Sequence, residues 1–152
     1  MLKPIAIATA VSGTLDILFA MILTVFFGPE IGNMLRYVGS GPFPPAKEMG
    51  APGAILGLLV HFTLMAMIAA VLMLYLRQRP QLLDKPIIVG IIYGLITYVV
   101  MNLVVVPLRF EGPLPPSGLS IATQLFAHIV LVGVPFALIA RKFLAPGSAA
   151  SA

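Results

Sequence analysis

The chain has 152 residues, a formal net charge of +4, 60% hydrophobic against 9% charged residues, and a mean hydropathy of +1.08. That much apolar side chain exceeds what a soluble domain of this length can hide from water, so lipid must cover it. The absence of Cys excludes disulfides, thiolate metal sites and cysteine catalysis. The basic residues stand at the ends of apolar runs instead of interleaving with aromatics, which excludes a nucleic-acid surface.

The first apolar run, about 5–27, contains Asp16 as its one formal charge and reaches the roughly 20 residues that a helix needs to cross hydrocarbon. Lys3 gives it a basic start like that of a signal peptide. The run is too long for one, however, and lacks a small-residue cleavage site, so a retained span is expected. Gly28-Pro29-Glu30 then opens a short helix, with Pro at its first position and an acid near the positive end of the dipole. Ile31, Met34, Leu35 and Val38 fall on one face of that helix, which suits a piece lying flat at the membrane surface. Gly41-Pro42-Phe43-Pro44-Pro45 favours extended polyproline-like backbone, as does Gly112-Pro113-Leu114-Pro115-Pro116 further on. These prolines stop the neighbouring helices, and they also suit a stiff docking surface.

Three further spans are read at about 52–76, 86–108 and 118–142, and the stretch 146–152 is a small, polar tail expected to be disordered. The predicted architecture is all-α, a transmembrane four-helix bundle in one domain over 1–152, with a short interfacial helix after the first span. Lys3, Arg77, Arg79, Lys85, Arg141 and Lys142 fall at one end of this bundle, against Arg36, Lys47 and Arg109 at the other. The excess of basic residues predicts that both termini are cytoplasmic.

Depth, more than any motif, points to a site. Asp16 lies about eleven residues below the outer end of span one, and His61, Tyr98 and His128 each lie about ten residues below the outer ends of theirs. Asn102 stands one turn above Tyr98 and Gln124 one turn above His128, so every span contributes a polar group to a band near the midplane. Small residues mark the same faces. Gly53, Gly57 and His61 form one i, i+4 stripe, and Gly90, Gly94, Tyr98 and Asn102 form another, so both begin with GxxxG. Gly13 and Ala20 flank Asp16 in the same way, and the polar groups are expected to point into the bundle.

An ionised Asp in hydrocarbon costs several kcal/mol unless it is paired, so Asp16 calls for an imidazole partner or for donors such as Ser12 and Asn102. Four uses of this layer follow. It can be a hydrogen-bonded plug fixing helix register, or a proton or small-solute pathway through Asp16 and the histidines. It can hold haem b with His61 and His128 as axial ligands, Gly57 giving the room, or a divalent metal on Asp16, His61 and His128. The plug is favoured, with no cofactor expected. No GxSxG, HExxH, phosphate-cradling glycine loop or paired carboxylates support catalysis. Met65, Met67 and Met73 read as packing or lipid-facing residues, not a copper relay.

The elements Leu56-Gly57-Leu58-Leu59-Val60-His61-Phe62, Tyr93-Gly94-Leu95-Ile96-Thr97-Tyr98-Val99-Val100-Met101-Asn102 and Val106-Pro107-Leu108 resemble a group of small, uncharacterised four-span bacterial inner-membrane proteins. The shared patterns are GLxxHF, YGxxxYxxMN and VxPL. The resemblance implies the four-span fold and a bacterial inner-membrane location, and carries no activity. The expected role is therefore a non-enzymatic accessory or assembly subunit, or a homo-oligomer, with the lipid bilayer and a larger membrane complex as partners.

Overall fold

The computed structural model describes residues 1–110 and 118–145, and within them the chain forms five longer helices, two short 3₁₀ turns and no strand. The longer helices are α1 (Leu2–Phe27), α2 (Ile31–Gly39), α3 (Ala51–Gln78), α4 (Pro86–Arg109) and α5 (Gly118–Leu144). All but α2 are long and apolar enough to cross a membrane, and most of each apolar surface faces outward. This is the expected four-span bundle. The second polyproline-like stretch and the tail 146–152 lie outside the described residues.

Both ends of the bundle can be identified from contacts. At the terminal end, the Lys3 ammonium sits over the Phe143 ring at 5.7 Å, and the single-turn helix Pro80–Asp84 packs on the last turns of α5. At the loop end, the Arg109 guanidinium donates to the Ser40 carbonyl at 2.8 Å and to that of Gly41. The six basic residues at the first end and the three at the second are thus spatially segregated.

The apolar core is concentrated toward the terminal end, where Ala8, Met73, Leu76, Phe136 and Ala140 are fully buried. Met65 and Met73 belong to this core while Met67 is exposed. α1 packs against both α3 and α5, with Phe19 against Phe126 at 5.3 Å, and α4 packs against α5. The Tyr93 hydroxyl bridges α4 to the Ile68 carbonyl of α3 at 2.7 Å.

Glycines decide which backbones meet. A β-carbon at Gly90 would stand 2.6 Å from Val134 Cα, one at Gly94 would stand 2.6 Å from Ile129 Cα, and one at Gly133 would strike the Gly90 carbonyl oxygen. The GxxxG of α4 therefore seats α5. That of α3 has a different partner. β-Carbons at Gly57 and Gly53 would strike the carbonyl oxygens of Leu35 and Ala46, so the stripe receives α2 and the turn after it, not another span.

The short helix expected after the first span is present as α2, and it docks on α3. Its Leu35 and Gly39 are buried against α3, and Glu30, in extended conformation, is the residue before the helix, so Pro29 stands outside it. Pro44 and Pro45 likewise do not stay extended. They open a single 3₁₀ turn, Pro44–Glu48, because a proline needs no N–H at the first helical positions and its φ is already set.

Both late spans widen into π-helical turns, at Val99–Val105 in α4 and Ala127–Gly133 in α5, and each stretch ends just before a proline, Pro107 or Pro135. The missing N–H and the ring's crowding of the carbonyl four residues back break the regular ladder there. Asn102 and His128 both ride on these widened stretches.

Candidate functional site

Gly13 lets α3 approach α1 at the level of the polar residues: a β-carbon there would lie 2.7 Å from the Phe62 ring. Next to Phe62, the His61 imidazole reaches across, and its Nε2–H donates to the Gly13 carbonyl at 2.9 Å. A carbonyl only accepts, so this bond places a proton on Nε2. The other ring nitrogen, Nδ1, faces Asp16 Oδ2 at 3.9 Å, beyond a hydrogen bond but within ion-pair range. His61 is 8% exposed, and Asp16 is largely shielded.

The second histidine completes the group. His128 Nδ1–H donates to the Gln124 carbonyl at 2.9 Å, which leaves Nε2 as its free acceptor, and its ring lies within electrostatic reach of Asp16. The Tyr98 and His128 rings meet nearly at right angles with centroids 5.9 Å apart. His61 on α3, Asp16 on α1, His128 on α5 and Tyr98 on α4 thus put one polar group on each of the four spans, with direct approaches between His61 and Asp16 and between His128 and Tyr98. Each histidine commits one nitrogen to a backbone carbonyl and keeps the other.

The remaining polar residues stand differently. Asn102 is half-buried on the widened part of α4, so its stripe loses register after the buried Gly90, Gly94 and Tyr98. Gln124 lies at the inner end of a cavity of about 440 Å³ between α1 and α5, which Thr24, Ser120 and Thr123 also line. Ser12 does not serve Asp16: its hydroxyl is buried without a hydrogen-bond partner among the described residues, as is that of Thr9 one turn further toward the terminal end. Asp16 is met by imidazole instead. Thr97, buried beside Tyr98, stands outside the sequence's polar stripes, and its hydroxyl bonds to the Gly94 carbonyl at 3.0 Å.

Two cofactor readings lose their geometric basis. Gly57 gives no room for haem, because the backbone of α2 fills the space above it. Both ring nitrogens of His61 are also turned to protein groups, Nε2 to Gly13 and Nδ1 to Asp16. Asp16, His61 and His128 do not come together as metal ligands, and among the described residues no three His, Asp or Glu side chains form such a group. What the arrangement can do chemically is pair a carboxyl group with imidazole, and a proton passes between them once the 3.9 Å gap closes to hydrogen-bond distance. A neutral pair can hold its proton on either partner without placing net charge in hydrocarbon.

The chain matches no family model, no curated protein and no solved structure.

Proposed function

We propose that the protein is a non-enzymatic, multi-pass subunit of the bacterial inner membrane in which Asp16, His61 and His128 form a polar lock between α1, α3 and α5. The observation that carries this reading is the His61 imidazole, hydrogen-bonded to Gly13 and facing Asp16 on the same neighbouring helix. Polar groups that meet across helices in lipid hold register at low cost, because the alternative is an unpaired group in hydrocarbon. The lipid-facing surfaces of the four spans leave room for a partner subunit or a second copy. The location rests on the resemblance and on the segregated basic residues.

The orientation has both termini in the cytoplasm, supported by six basic residues at the terminal end against three at the loop end. Because the chain has no cysteine, single cysteines report it cleanly. Met49→Cys and Gly118→Cys are expected to react with an impermeant thiol reagent in intact cells, and Gln81→Cys only after lysis. Labelling at Gln81→Cys alone would invert the topology.

A specific observation favours a second reading, a proton route. Thr24, Thr63, Thr97 and Thr123 all bond to carbonyls of their own helices, whereas the buried Thr9 and Ser12 hydroxyls do not. These two lie one and two turns from Asp16 toward the terminal end, and the cavity ending at Gln124 lies on the loop side. A lock predicts vesicles that stay tight to protons with the wild-type protein. A route predicts a leak that Asp16→Asn abolishes, and that result would replace the lock as the account of this site.

A further inference from the structure

The outer halves of α3 and α4 do not close on one another, and a cavity of about 820 Å³ remains between them. Leu56, Leu59, Leu64 and Met67 of α3 line one wall, and Met101 and Val105 of α4 line the other. Its cause is local: the glycines of α3 hold α2, and those of α4 hold α5, so neither helix has a small face left for the other. From Leu56 to Met67 the groove runs about 16 Å along α3, close to half of a hydrocarbon core roughly 30 Å thick. The Tyr93–Ile68 bridge stands at its inner end.

A polar pocket of about 420 Å³ adjoins the mouth and shares Tyr37, Arg109 and Phe110 with the groove. Tyr37 and Phe110 stack at 4.2 Å between the two, and the Lys47 ammonium lies 5.6 Å from the Tyr37 ring. Lys47 and Arg109 both line the pocket, and among the described residues no acid lines it and neither cation pairs with a carboxylate. Burial pushes the Tyr37 phenol above its ordinary value, so the ring supplies no counter-charge. Arg109 spends donors on the Ser40 and Gly41 carbonyls and has others left over.

We infer that this composite site binds an anionic phospholipid, one acyl chain in the α3–α4 groove and the headgroup phosphate between Lys47 and Arg109. The apolar length matches one leaflet, the aromatic stack sits where chain gives way to headgroup, and two cations that meet no carboxylate among the described residues match a phosphodiester.

The chain has no tryptophan, so Met67→Trp places a single reporter at the inner end of the groove, and Leu18→Trp places a control on the exposed face of α1. Each protein is reconstituted in phosphatidylcholine vesicles carrying a minor fraction of brominated lipid. Brominated phosphatidylglycerol is expected to quench Met67→Trp as though enriched about fivefold or more over brominated phosphatidylcholine, in keeping with interfacial cations. Leu18→Trp should respond equally to both lipids. Lys47→Glu, which leaves the main-chain bonds of Arg109 intact, should remove most of the excess, and Arg109→Gln the remainder. Equal quenching of Met67→Trp by the two lipids, or an excess that survives Lys47→Glu, would overturn the site. Weak quenching by both, with self-association, would also overturn it by making a second copy the occupant.

Discussion

Gly133→Leu is expected to leave little folded protein, and Gly57→Leu to be nearly as damaging. At Gly133 the first added carbon meets the Gly90 carbonyl and Gly94 Cα, which are backbone atoms that cannot swing aside. Overpacking typically costs about 1–3 kcal/mol when side chains can adjust, and here α4 and α5 would have to separate. At Gly57 the same substitution pushes against Leu35 and displaces α2 from α3. Gly118, where a β-carbon meets nothing among the described residues, supplies the control. Thermal unfolding in detergent should place Gly118→Leu near the wild type and Gly57→Leu lower by roughly 6 °C or more, since about 3 kcal/mol moves a midpoint that far in a chain of this size. Equal midpoints for the two variants would mean that the glycine contacts do not hold the bundle together.

His61→Leu is expected to destabilise the bundle by roughly 1–3 kcal/mol, the cost of leaving a buried polar partner unsatisfied. The substitution removes the donor to Gly13 and leaves Asp16 without its nearest imidazole. His128→Leu should cost less, because the His128 hydrogen bond to Gln124 returns to its own helix and can be lost without separating two spans. Denaturant titration of the three proteins in the same micelle checks this order. A larger loss for His128→Leu would move the centre of the lock from α1–α3 to α1–α5.

The four spans are legible in the sequence because a nearly uncharged run of bilayer length is stable in few places besides hydrocarbon, and the segregation of basic residues follows from the same runs. The shared level of Asp16 with His61, and of Tyr98 with His128, is legible from depth alone. What periodicity does not show is partnership: an i, i+4 stripe names a face and says nothing of which helix will occupy it. Gly53 and Gly57 read as a span–span seam, yet they seat α2, whose short amphipathic pattern suggests only a membrane surface. The loss of haem's space follows from that single docking. Gly133, which precedes Val134-Pro135, carries the reciprocal contact to Gly90 and Gly94, and a lone small residue before a proline is its only signal. Ser12 shows the same limit at closer range, since its i, i+4 relation to Asp16 puts the two on one face without making them bond.

The claim that Asp16 and His61 act as one unit is tested most directly by a double-mutant cycle on unfolding free energy, with Asp16→Leu, His61→Leu and the combined variant. The pair stands 3.9 Å apart, so removing the second residue should recover part of what the first removal costs. The expected coupling is about 1 kcal/mol or more, above the roughly 0.3–0.5 kcal/mol within which independent sites add. Losses that add within that margin would contradict the lock, because they would show two polar residues in the membrane that contribute separately.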